Sequence, residues 1–187
     1  QSEAILKRIT ATGAAKDFAG CEMVVEAVFE QRELKAKVTQ EALEFMPADS
    51  VFASNTSTLP ISGLAEAARK QENFIGLHFF SPVDKMQLVE VIKGKRTSEE
   101  TIAKAYDYVQ KINKIPILVN DSRGFYTSRV FQTYVMEGMK LLEEGVDPSV
   151  IETVSMQAGM PVGPLALADE VSLRLMAEIF ATTQKDF

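Results

Sequence analysis

The sequence predicts an α/β sheet, mainly parallel, followed by a purely helical region. Short apolar runs alternate with amphipathic stretches as far as Asn120. Beyond Asn120 such runs stop, and longer apolar-rich segments punctuated by Gly and Pro take over. Parallel neighbours need a crossover, usually a helix, so strand–helix alternation is the mark of a mainly parallel sheet with covered faces.

Taken in order, Gln1 to Thr10 is an amphipathic segment without the apolar centre of a signal peptide. There is no initiator Met, so the N-terminus is expected upstream. Glu22 to Val28 (EMVVEAV) reads as a buried strand. Gln31 to Met46 reads as a helix presenting Leu34, Val38, Ala42, Phe45 and Met46 on one face. Val51 to Ser54 is the next strand, and Pro60 to Ala68 a helix with Ser57 or Thr58 near its N-cap and Pro60 in its first turn. Phe74 to Phe80 (FIGLHFF) and Leu88 to Ile92 (LVEVI) are strands joined by a loop containing Pro82. Thr97-Ser98-Glu99-Glu100 fits a capping box that opens a helix carrying Ile102, Ala105, Tyr106, Val109 and Ile112. Ile115 to Val119 is a last strand.

The helical region follows. Phe125 to Glu143 is a long helix ending at Gly145, Asp147-Pro148 starts another, and Leu165 to Ala181 is a third after the turn Gly159 to Pro164. A domain boundary is placed near Asn120, giving domains 1–120 and 121–187. With 187 residues, 46% of them apolar, the chain holds one full-size domain or two small or incomplete ones. A net charge of −6 disfavours nucleic acid. One cysteine and one histidine exclude a disulfide framework and the common Cys- and His-rich metal sites, so no metal is expected. No apolar run approaches the roughly 20 residues of a membrane span.

Two polar residues sit inside apolar strands: His78 in FIGLHFF and Glu90 in LVEVI. Burying a carboxylate is costly unless it is paired. His78 is the single imidazole, and a carboxylate beside it would fix its tautomer and suit it to act as a general base. A structural histidine bonded to backbone, with Glu90 at a solvated strand end, satisfies the same spacing. Glu26, inside MVVEAV, competes as partner for His78, and spacing does not choose. The loop Ser54-Asn55-Thr56-Ser57-Thr58 leaves a strand end, where α/β sheets bind ligands; cap and turn roles explain the same residue types. Glu30 and Lys35 follow the first strand and could reach a cofactor at that edge, or lie on a solvated helix face. None of the ten glycines forms a G-x-G-x-x-G phosphate loop.

Ser54-Asn-Thr-Ser57, Gly76-Leu-His-Phe-Phe-Ser-Pro82, Leu88-Val-Glu-Val-Ile92, Gly124-Phe125, Val24-Val-Glu-Ala-Val28, Pro161-Val-Gly-Pro164 and Leu167-Ala-Asp169 recur in the order and spacing of a known family. Over nearly its whole length the chain resembles the L-3-hydroxyacyl-CoA dehydrogenases. The resemblance implies an N-terminally truncated Rossmann-type domain followed by an all-α C-terminal domain. It further implies NAD as cofactor, an acyl-CoA substrate, and oxidation of L-3-hydroxyacyl-CoA to 3-ketoacyl-CoA in fatty-acid β-oxidation. By resemblance His78 is the base, Glu90 orients it, and Ser57 bonds the substrate oxygen. Glu30 and Lys35 match cofactor-ribose positions, with Ser57 and Ser81 also on the cofactor and Ser128 on the substrate. Single-function members usually carry Asn where Ser81 and Ser128 stand; Ser81-Pro82 is more like the multifunctional α-subunit branch. The resemblance puts the glycine-rich loop before Gln1 and leaves the helical domain incomplete near Phe187. It implies a homodimer or a thiolase-containing complex, cytoplasmic in a bacterium and otherwise mitochondrial or peroxisomal. The two serines and the missing phosphate loop motivate an alternative: a non-catalytic relative keeping the fold as a binding or structural module.

Overall fold

A computed structural model of the chain describes residues 2–171. Two compact units divide between Tyr126 and Thr127. The first holds one five-stranded sheet in the order β1 (Met23–Glu26), β2 (Val51–Ser54), β3 (Phe74–Phe79), β4 (Leu88–Lys93), β5 (Ile115–Asn120). Three of the four pairings are parallel, and β3–β4 is antiparallel. The helices of this unit are α1 (Ser2–Leu6), α2 (Arg32–Phe45), α3 (Ile61–Leu64) and α4 (Glu99–Lys111).

Successive strand residues face opposite sides, so each strand feeds two cores. Phe52, Phe74 and Ile92 pack with Ala42 of α2, Met46 just after it, and Ile61 and Leu64 of α3. Val51, Ala53, Ile75, Leu77, Val89 and Val91 pack under Ile102, Ala105 and Val109 of α4. This near-continuous apolar content is what burial on both faces requires.

Several local expectations are corrected. β1 is shorter than Glu22 to Val28, because the Val28 amide donates to the Glu26 side chain at 2.7 Å. The buried stripe of α2 is Lys35, Thr39 and Ala42, continued by Met46, while Phe45 is 40% exposed. The expected face was therefore rotated, and Lys35 lies inward rather than on a solvated face. The helix expected from Pro60 to Ala68 breaks at Leu64 into a 3-10 turn, Ala65–Ala67. Its cap is neither Ser57 nor Thr58: the Asp121 carboxylate accepts from the amides of Ile61 (2.7 Å) and Ser62 (2.8 Å). In α4 the N-cap is Ser98, accepting from Thr101 N, whereas Thr97 Oγ1 donates to Phe74 O and accepts from Gly94 N.

The second unit contains α5 (Thr127–Glu143), α6 (Pro148–Gln157) and α7 (Pro164–Val171). α5 starts two residues later than expected, because Gly124 (φ 72°) and Phe125 (φ 47°) are in the left-handed region. Asp147 caps α6, accepting from Ser149 N. Pro164 packs so closely on Gly138 that a Cβ there would lie 2.4 Å from its ring. Glu152 Oε1 accepts from Leu165 N at 2.8 Å, capping α7. The part of the expected Leu165 to Ala181 helix beyond Val171 lies outside the described residues.

Candidate active site

The register sets the site. Glu26 pairs with Ser54, Ser54 with Gly76, and Gly76 with Ile92 across β1 to β4. Two residues along β3, His78 pairs with Glu90. The period of two puts Glu26, Ser54, His78 and Glu90 on the face shared with Phe52 and Phe74, toward the carboxyl ends of β1 to β3.

His78 Nδ1 is 2.7 Å from Glu90 Oε2, and Glu90 is fully buried. A carboxylate accepts, so Nδ1 carries the ring proton and Nε2 presents its lone pair. The other carboxylate oxygen, Oε1, accepts from the Tyr126 amide at 3.0 Å. The Phe80 ring lies 4.4 Å from the imidazole and that of Phe125 6.1 Å, leaving His78 only 7% exposed. The reading of His78 as a backbone-bonded histidine beside a solvated Glu90 is thereby set aside.

Glu26 does not compete for His78. Its Oε1 receives Lys35 Nζ at 2.8 Å, and its Oε2 receives Ser54 Oγ at 2.7 Å. Both charged side chains are 1% exposed. Sequence reasoning missed this pair, although a carboxylate in MVVEAV demanded a counter-charge and Lys35 stands at helical spacing from Thr39, Ala42 and Met46. It also missed Asp121, because Ser57 and Thr58 offered a local cap and the true one comes from 60 residues away.

Glu30 sits over the β2–α3 loop. Its Oε1 accepts from Ser57 N, Thr58 N and Thr58 Oγ1, each at 3.2 Å, and from Thr56 Oγ1. Its Oε2 is 3.4 Å from Lys35 Nζ. Burial works to raise the Glu30 pKa, but the Thr56 hydrogen bond, the charge of Lys35 and the Thr58 donors outweigh it and hold the carboxyl below its ordinary value. Ser57 is exposed, and its hydroxyl has no hydrogen-bond partner among the described residues. Ser81 is exposed next to Phe80. Ser128 is half-buried in the first turn of α5, in the second unit.

Size does not single this edge out. A cleft of about 770 Å³ is lined by Ser62, Lys95, Arg96 and Asp121, among others, and does not include His78. Chemistry does: a buried imidazole–carboxylate pair on the same sheet face as a hydroxyl-rich strand-end loop. A mainly parallel sheet carrying these groups toward its carboxyl edge has the architecture of the dinucleotide-binding α/β class, which binds ligands at that edge.

Residues 1–122 match the 3-hydroxyacyl-CoA dehydrogenase NAD binding domain, and residues 124–187 match the 3-hydroxyacyl-CoA dehydrogenase C-terminal domain. The chain belongs to the 3-hydroxyacyl-CoA dehydrogenase family. It is 42% identical over 182 residues to a fatty acid oxidation complex subunit alpha of Shewanella baltica, covering 97% of this chain and 26% of that protein. The chain thus spans about a quarter of the length of such relatives. A solved (S)-3-hydroxybutyryl-CoA dehydrogenase of Ralstonia eutropha superposes with a TM-score of 0.92 at 33% identity, covering 98% of this chain and 65% of that one. A 3-hydroxybutyryl-CoA dehydrogenase of Escherichia coli K12 does so with a TM-score of 0.89 at 31% identity, covering 97% and 40%. Among the described residues no helix is long and apolar enough to cross a membrane, and no group of three or more His, Cys, Asp or Glu is placed to hold a metal.

Proposed function

We propose that the protein carrying this chain oxidises L-3-hydroxyacyl-CoA to 3-ketoacyl-CoA with NAD+ in fatty-acid oxidation, with residues 1–120 as cofactor domain and 121–187 as helical domain. The observation that carries the reading is the His78–Glu90 pair, 2.7 Å apart, with Glu90 fully buried and His78 nearly so. The exposed Ser57 hydroxyl and the strand-end loop offer polar groups where a dinucleotide and a substrate meet, so the residues fit the cofactor. NAD+, when bound, accepts the hydride from substrate C3. His78 Nε2 takes the hydroxyl proton. The Glu90 carboxylate holds Nδ1–H and stabilises the imidazolium that forms. Ser57 Oγ bonds the substrate oxygen, Ser81 and Ser128 stand at the further cofactor and substrate contacts, and Glu30 and Lys35 set the charge of the cofactor edge.

Fatty acid oxidation complex subunits alpha among the relatives support a subunit of a multifunctional assembly, with a thiolase-bearing partner or a second copy. In a bacterium the compartment is the cytoplasm. The test is acetoacetyl-CoA-dependent NADH oxidation by the intact protein. Turnover is expected, falling at least about 100-fold in His78→Ala. Near-normal turnover in that variant removes the role of His78; a folded wild type that does not turn over leaves the non-catalytic binding module instead.

A further inference from the structure

After β5 the chain turns sharply: Phe125 N donates to Ser122 O at 3.0 Å, and Gly124 takes the left-handed position (φ 72°). Gly suits that position because it has no Cβ to clash. Phe125 follows at φ 47° with a full aromatic side chain. A bulky residue at positive φ is an outlier, held only where its surroundings impose it. The other non-Gly residue at positive φ among the described residues is Asn113, a type that tolerates the left-handed region.

Two contacts follow from the Phe125 conformation. Its ring enters the core of the first unit, 1% exposed, and lies 6.1 Å from the His78 imidazole at a tilt of 57°. The next amide, Tyr126 N, donates to Glu90 Oε1 at 3.0 Å. Rotation about φ moves Cβ and the following peptide together, so one strained dihedral sets both contacts. They fall on the two partners of a single hydrogen bond: the ring on His78, the amide on Glu90.

We propose that Phe125 is a positioning residue for the His78–Glu90 pair. Its backbone brings an amide to the far oxygen of the carboxylate. Its ring restricts rotation of the imidazole and keeps water from the Nδ1–H to Oε2 bond. The effect on turnover rests on the dehydrogenase reading; the closure of the pair does not.

The first measurement is proton exchange on this chain. His78 is its single histidine, so with isotope-labelled histidine the Nδ1–H signal has no rival. A buried, hydrogen-bonded proton exchanges with water through local opening, so its rate reports how well the pair is closed. Phe125→Leu keeps an apolar side chain and removes the ring, and is expected to speed Nδ1–H exchange about tenfold or more. Phe52→Leu removes a ring from the same core cluster, one that stacks on Phe74 instead, and is expected to stay within about threefold. A protected Val91 amide in β4 shows that each variant is folded. Unchanged exchange in Phe125→Leu, or equal acceleration in the two variants, overturns the proposal and leaves Phe125 an ordinary core residue. Phe125→Gly and Phe125→Ala both lack the ring and differ in the cost of positive φ. The Ala53 amide should therefore exchange more slowly in Phe125→Gly; the reverse order overturns the backbone role.

The second measurement is turnover of acetoacetyl-CoA by the intact protein. Phe125→Leu should lower kcat about tenfold or more with KM within about threefold, since the pair is misplaced while the acyl-CoA contacts persist. Phe52→Leu should change neither by more than about threefold. A raised KM with kcat retained overturns the proposal and assigns the ring to substrate binding. Absent wild-type turnover with the proton-exchange pattern as expected rejects the dehydrogenase reading and keeps the positioning role.

Discussion

Replacing Lys35 by Met removes a charge from the inside of α2 while keeping most of the apolar stem. The ammonium lies 2.8 Å from Glu26 Oε1 and 3.4 Å from Glu30 Oε2. At an effective dielectric constant of about 20 the nearer attraction alone is worth about 6 kcal/mol, most of it offset by desolvation of two side chains that are 1% exposed. Breaking such a pair from one side typically costs about 3–5 kcal/mol, because the remaining charge stays buried. Glu26 keeps two donors, Val28 N and Ser54 Oγ, which points to the lower end, about 3 kcal/mol. Adding Glu26→Gln to Lys35→Met removes the stranded charge, so the double variant should be more stable than Lys35→Met by about 1 kcal/mol or more. Because two units can unfold separately, the free energy is best read from native-state exchange of the Ala53 and Leu77 amides, both in the core of the first unit. A Lys35→Met loss below about 1 kcal/mol, or a double variant less stable than either single one, would refute the reasoning.

Gly76→Ala should cost about 1–3 kcal/mol by overpacking, since the added Cβ would lie 2.7 Å from Ile61 Cδ1 and 2.9 Å from Ile92 Cβ. Adding Ile61→Val should recover only part of the lost Tm, because the Ile92 contact persists; full recovery would show that Ile92 yields. Glu30 gives a pH dependence of known sign. Its carboxyl titrates below the ordinary value in the folded chain, so its stabilisation is complete above the unfolded value and is lost as pH falls through the folded one. The Tm gap between wild type and Glu30→Gln should therefore shrink from about pH 5 to about pH 3; a gap that widens there would reverse the assignment.

The sheet was legible because apolar runs and breakers carry their own period. All five strands were found, and errors were confined to ends. Those ends were set by long-range bonds: a Glu26 carboxylate closing β1 on Val28, an Asp121 carboxylate replacing the cap expected at Ser57 or Thr58. A single sequence carries no sign of a cap supplied from 60 residues away. The face of α2 was misread for a related reason. Lys35 counts as polar in a periodicity, and only a buried Glu26 turns it inward. At the site, two polar residues in apolar strands were visible, but their pairing was not. On spacing alone Glu26 and Glu90 were equal candidates; the resemblance pointed to Glu90, and the antiparallel register sets His78 opposite it. Glu30 was visible as a residue near the edge, whereas its engagement with the Ser57 loop required the fold of β1, β2 and their connections.

The same register makes Glu90→Gln a more severe change than its size suggests. Gln matches Glu in shape, and loss of charge alone would weaken a charge-assisted bond to His78 by about 1–2 kcal/mol, or roughly 5- to 30-fold in rate. The Tyr126 amide adds a constraint. It donates to Oε1, so the position near Tyr126 must remain an oxygen to keep that bond. The amide nitrogen of the substituted side chain is then turned toward His78 Nδ1, where the Glu90 Oε2 of the wild type lies at 2.7 Å. An NH2 group donates, so Nδ1 must accept, and the ring proton moves to Nε2, the atom proposed above as base. An analogous carboxylate-to-amide exchange behind a catalytic histidine costs about 10⁴-fold through the wrong tautomer. A loss in kcat of about 10²- to 10⁴-fold is therefore expected, with the acyl-CoA KM little changed, since neither atom of the pair holds the acyl chain. Retention of kcat to within tenfold would mean that Glu90 supplies charge alone, and that the Tyr126 amide does not fix which end of the side chain faces the imidazole.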